Sequence, residues 1–135
     1  MNRLVNLADL PRHTKREIIL GLINDTLAGR KTGFTISLDL AQPSEGFAVG
    51  GYKRGEIVVT PTWNREDKED IVYAFLDDPL LQDNKDVFVG GWLHEGNCIL
   101  DVSQIFTDQA EAERVGRERG EKAIYDLGKG EDIDL

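Results

Sequence analysis

Residues 87–106, VFVGGWLHEGNCILDVSQIF, hold the strongest strand signal in the chain and decide its fold. Val87, Val89 and Leu93 share one side of an extended first arm, with Phe88 and Trp92 on the other. In the second arm Cys98, Leu100 and Val102 alternate with Ile99, Asp101 and Ser103. Alternation with a period of two makes both arms strands. Between them His94-Glu95-Gly96-Asn97 supplies Gly and Asn, which tolerate the positive φ of a reversal, so the arms are expected to pair antiparallel.

An earlier segment has the same layout. Val49-Gly50-Gly51-Tyr52, Lys53-Arg54-Gly55 and Glu56-Ile57-Val58-Val59 match Val89-Gly90-Gly91-Trp92, the loop through Gly96, and Asn97-Cys98-Ile99-Leu100. The match predicts a second Gly-Gly hairpin from Phe47 to Thr60, ended by Pro61. The glycine pairs have two readings. They can let a ligand or a partner's backbone approach beside Tyr52 and Trp92, or they can mark bends in a twisted sheet, with the two rings covering bare backbone.

Outward from these segments, residues 1–13 form a lead-in in which Leu4, Val5, Leu7 and Leu10 can pack. Thr14-x-x-Glu17 has the form of a capping box, and Ile18, Ile19, Leu22, Ile23 and Leu27 follow at helical spacing, predicting a helix over Thr14 to Ala28 with Gly29 at its end. Phe34, Ile36, Leu38 and Leu40 alternate with polar residues as a one-sided strand. Asn64 caps a helix whose apolar face is Ile71, Val72, Phe75 and Leu76. Asp77 to Asp86 reads as an acidic loop, a candidate for partner contact. Asp108-x-x-Glu111 opens a surface helix over Ala110 to Arg119. Ala123 to Leu127 is a last strand, and Gly128 to Leu135 an acidic tail expected to fray. The fold class predicted is α+β: a mostly antiparallel sheet of five to six strands built from two Gly-Gly hairpins, with three helices on one face.

The length of 135 residues fits one domain. No apolar run approaches the ~18 residues of a membrane span, and no signal-peptide apolar block follows Met1-Asn2-Arg3, so a cytoplasmic setting is expected. Cys98 is the one cysteine, which excludes an intrachain disulfide and a thiol zinc cluster. A His94/Cys98 metal pair lacks a third ligand nearby. Of the net charge of -9, residues 1–31 contribute +3 and the remainder -12. That field repels nucleic acid and suits a partner with a basic surface.

Catalytic signatures are missing: no nucleophile elbow, P-loop, metalloprotease helix or dinucleotide turn occurs. Asp101 and Ser103 alternate on a strand beside the Phe88/Trp92 side, where a small polar pocket with an aromatic wall could form, or simply an exposed sheet face.

Phe88-Val89-Gly90-Gly91-Trp92, Leu100-Asp101-Val102-Ser103, Gly116-Arg117-Glu118-Arg119 and Lys122-Ala123-Ile124-Tyr125-Asp126-Leu127, with Gly33-Phe34-Thr35 and Gly46-Phe47-Ala48-Val49, resemble a group of small uncharacterised proteins of actinobacteria and their phages and mobile elements. Gly120-Glu121 stands where the group's pattern has Asn-Gln. The resemblance implies a phage or mobile-element setting and transfers no catalytic residue.

The expectation is therefore a non-enzymatic acidic accessory protein, without cofactor or metal, that binds a host protein and inhibits a host or defence factor by charge mimicry. Its candidate contacts are Tyr52, Trp92, Asp101, Ser103, Asp77, Asp78, Asp83 and Asp86. The alternative is a small-ligand or nucleotide-binding domain using Tyr52 and Trp92, and third an enzyme built on Asp101, Ser103 and His94. An exposed sheet edge could also pair with a second copy of the chain.

Overall fold

A computed structural model describes residues 6–135. Leu4 and Val5 of the lead-in lie outside the described residues. After a 3-10 turn at Leu7–Asp9 come α1 (Arg12–Leu27), β1 (Gly33–Ile36), β2 (Phe47–Val49), β3 (Ile57–Val59), α2 (Arg65–Leu76) and α3 (Pro79–Gln82). Then follow β4 (Val87–His94), β5 (Asn97–Phe106), α4 (Gln109–Glu118), β6 (Ala123–Asp126) and β7 (Glu131–Asp134). The fold is α+β: one antiparallel sheet in the order β1-β4-β5-β2-β6-β7, with β3 also paired to β5.

β4 and β5 form the expected hairpin, in register from Val87↔Gln104 to His94↔Asn97. Pairing of His94 with Asn97 narrows the reversal to Glu95 and Gly96, both with positive φ (51° and 81°), the tight turn whose twist suits a hairpin.

The second Gly-Gly hairpin does not form. β2 and β3 do not pair with each other; both lie antiparallel along the same edge of β5, β2 opposite residues 104–106 and β3 opposite residues 98–100. They are two pieces of one broken strand, joined by an excursion through residues 50–56 that spans Asp101, Val102 and Ser103. The reason lies in which partners the backbone finds. The Arg119 guanidinium donates to the carbonyls of Val49 and Gly50 at 3.3 and 3.2 Å, and Arg54 is drawn away to Asp78 at 2.5 Å. Only the Tyr52 amide rejoins the sheet, donating to the Val102 carbonyl at 3.0 Å. Similar sequence thus gives a hairpin in one place and a broken edge in the other.

The helices all pack on one side. Val89, Leu100 and Val102 join Ile19, Ile23, Val72, Phe75, Leu76 and Leu81 in the main core. Val49 pairs with Gln104, two residues beyond Val102 and hence on the same side, and with Ala112 and Ile124 it forms a smaller core under α4. Gly116 makes the close approach of α4 possible, since a Cβ there would come within 3.0 Å of the Ile124 side chain.

Local details depart from expectation in four places. α1 begins at Arg12 after Pro11, so Thr14 lies inside the helix and makes no capping box, while Gly29 (φ 75°) follows its end as expected. β1 stops at Ile36 because Ser37 folds the chain back, its Oγ accepting from the Ala41 amide at 3.0 Å, and buried Leu40 takes a positive φ of 72°. Residues 79–82 of the acidic loop are helical, Asp78 accepting from the Leu80 amide at 2.9 Å. The tail does not fray: β7 pairs with β6 because Ile133 and Leu135 reach the smaller core. Asn64 and Asp108 cap α2 and α4 as expected.

Candidate functional site

At the strand break the Asp101 side chain is enclosed from both flanks. A Cβ on Gly90 would overlap Asp101 Oδ1 and lie 2.8 Å from Ser103 Oγ; one on Gly50 would overlap Asp101 Oδ2 and lie 2.6 Å from Glu121 Oε1. Ser103 Oγ donates to Asp101 Oδ1 at 2.8 Å. Burial pushes the Asp101 carboxyl up to about 7; Glu121 and Glu56 act in the same direction, while the Ser103 hydrogen bond and Arg119 oppose it. Glu121 is likewise raised, first by burial and then by Glu56, against the pull of Arg119.

Arg119 at the end of α4 ties this region together. Besides the two carbonyls it donates to Gln104 Oε1, and its guanidinium lies 5.3 Å from the centre of the Tyr52 ring. Lys53 Nζ also lies over that ring, at 5.1 Å. The structure therefore brings Tyr52, Asp101 and Ser103 into one neighbourhood with Arg119 and Glu121, which the sequence reading did not include. The opposing glycines were the available signal, and it needed the register to be read.

Trp92 lies on the same side of the sheet as Asp101, its partner Ile99 being two residues from Asp101 along β5, but away from Tyr52. Tyr52 packs against the main core, whereas Trp92 is on the helix-free side, 40% exposed and 5.1 Å from the His94 ring. The two rings do not form one site. Across the sheet Trp92 pairs with Ile99 and Ile99 with Val58, which is 41% exposed. This makes an apolar row, Trp92–Ile99–Val58, that no described helix covers.

The remaining candidates have other roles. Asp77 binds Arg12 and Arg16, and Asp78 binds Arg54, so the acidic loop spends two carboxylates on holding the chain together. Asp83 and Asp86 are exposed, with no ion pair to a described residue. His94 is four residues along β4 from Gly90, about 13 Å, too far to converge on Asp101. Cys98 pairs with Leu93 and is buried on the core side, its thiol pushed up to about 12 by burial, while His94 is exposed at the hairpin tip. The imagined His94/Cys98 metal pair does not form, and no metal-binding cluster occurs among the described residues. Two surface grooves, of about 470 Å³ between α1 and α2 and about 160 Å³ beside Arg16 and Leu38, include neither Asp101 nor Trp92. No described helix is long and apolar enough to cross a membrane. Comparison with protein-family models, curated proteins and solved structures returns no match.

Proposed function

We propose that this chain is a non-enzymatic accessory protein that binds a host protein on the helix-free side of its sheet, in the phage or mobile-element setting implied by the resemblance. The observation that carries the reading is the row Trp92–Ile99–Val58, in which a tryptophan and a valine stand 40% and 41% exposed on either side of a buried isoleucine. A large exposed aromatic beside aliphatic neighbours is the kind of anchor that supplies binding energy at protein interfaces. Glu56 and Glu95, both exposed, flank the row, and the chain carries a net charge of -9. The matching surface is an apolar strip bordered by Lys and Arg, and occupying it inhibits whatever that basic surface ordinarily binds.

The test is affinity capture from host lysate with the wild-type protein and Trp92→Glu in parallel. The expected result is a specific protein retained by the wild type, lost with Trp92→Glu and released progressively as salt rises. Equal capture by both proteins would overturn the docking face.

A further inference from the structure

The break between β2 and β3 leaves residues 50–56 attached to β5 by few bonds, and those bonds surround one carboxyl. From β4, Gly90 presents bare backbone to Asp101; on β5, Ser103 Oγ donates to it; from the excursion, Gly50 meets it and Glu56 adds negative charge; from the α4–β6 connection, Glu121 faces it and Arg119 adds positive charge. A Cβ on Gly50 would meet oxygens of both Asp101 and Glu121, so the two carboxyls crowd one patch of backbone. Gly51 and Lys53 hold positive φ (74° and 57°), a conformation that L side chains such as that of Lys53 adopt only when the surroundings impose it.

We propose that Asp101 is a proton-operated latch for the excursion through residues 50–56: neutral, it holds Gly50 and Glu121 against β5, and ionised, it drives them apart and releases the loop. A protonated Asp101 has an O–H to offer a neighbouring carboxylate, whereas two carboxylates packed against the same glycine repel in a setting that water screens little. The midpoint lies near neutral pH, where burial has raised Asp101 to about 7. Because Glu56 leads directly into β3, release of the loop loosens the strand that carries Val58, coupling proton uptake to the order of the helix-free side.

The reporter is the Tyr52 amide, whose bond to the Val102 carbonyl fastens the middle of the excursion. Residue-resolved amide exchange, corrected for the intrinsic pH dependence, is measured between about pH 6 and about pH 9. The expected result is a fall of about tenfold or more in Tyr52 protection, with the β4–β5 ladder unchanged and no fall in Asp101→Asn. Constant protection in the wild type, or the same fall in Asp101→Asn, overturns the latch. Should Asp101→Asn fail to fold, Glu121→Gln decides: it removes the carboxylate that ionised Asp101 repels, so the fall in Tyr52 protection shrinks or disappears, and a fall as large as that of the wild type overturns the proposal.

Discussion

Gly50 and Asp101 face each other across the gap where β2 leaves β5, so close that a Cβ on Gly50 would occupy the space of the carboxyl. Gly90 stands in the same relation on the opposite flank. Gly50→Ala and Gly90→Ala are each expected to destabilise the protein by about 1–3 kcal/mol, the usual cost of forcing a methyl into filled space. Gly90→Ala is the more severe of the two, since β4 is paired on both edges and has little freedom to shift. Urea denaturation checks this; an unchanged midpoint for Gly90→Ala would refute the enclosure of Asp101.

Stability should also respond to pH through Asp101. Its folded-state value, about 7, lies above its ordinary value of 3.8, so between the two the folded protein holds a proton that the unfolded chain has lost. This contribution is complete below about pH 4 and is lost as pH rises through about 7, amounting to roughly 4 kcal/mol in all. Asp101→Asn, which stays neutral, is expected near wild-type stability below about pH 4 and a few kcal/mol above it beyond about pH 8. A difference that does not change with pH would contradict the assignment.

Two helical positions give simple stability tests. Gly21 sits in the interior of α1, exposed, and a Cβ there would meet nothing within 4 Å. Gly21→Ala should therefore stabilise by about 1 kcal/mol, the propensity difference with no packing offset. Asn64 Oδ1 accepts from the Asp67 amide at 2.8 Å, and Asn64→Ala should cost about 1 kcal/mol. Thermal unfolding reads both, and the opposite signs make the pair self-checking.

The β4–β5 hairpin is legible in sequence because two long alternating arms flank a Gly-containing turn, and local pattern alone suffices there. The α+β class follows from the same pattern together with the periodic faces of α1 and α2. The broken strand is not legible, because Val49 to Val59 has nearly the pattern of its neighbour and its fate depends on Arg119, distant in sequence. The same holds for the tail, where three acids in eight residues suggest solvent but Ile133 and Leu135 find the core under α4. Of the candidate site, Tyr52, Asp101 and Ser103 could be named from alternation and from the glycines beside them. Arg119 and Glu121 could not, since their part is set by tertiary approach. Asp77 and Asp78 look like free surface charge in sequence, and only the fold brings Arg12, Arg16 and Arg54 to them.

The most direct test of partner docking is carbene footprinting of the captured complex against the free protein. Labelling is expected to fall at Trp92 and Val58 on the helix-free side and to stay constant at Ile18 and Ile71, the exposed apolar residues of α1 and α2. Protection of Ile18 and Ile71 with Trp92 and Val58 still labelled would contradict it.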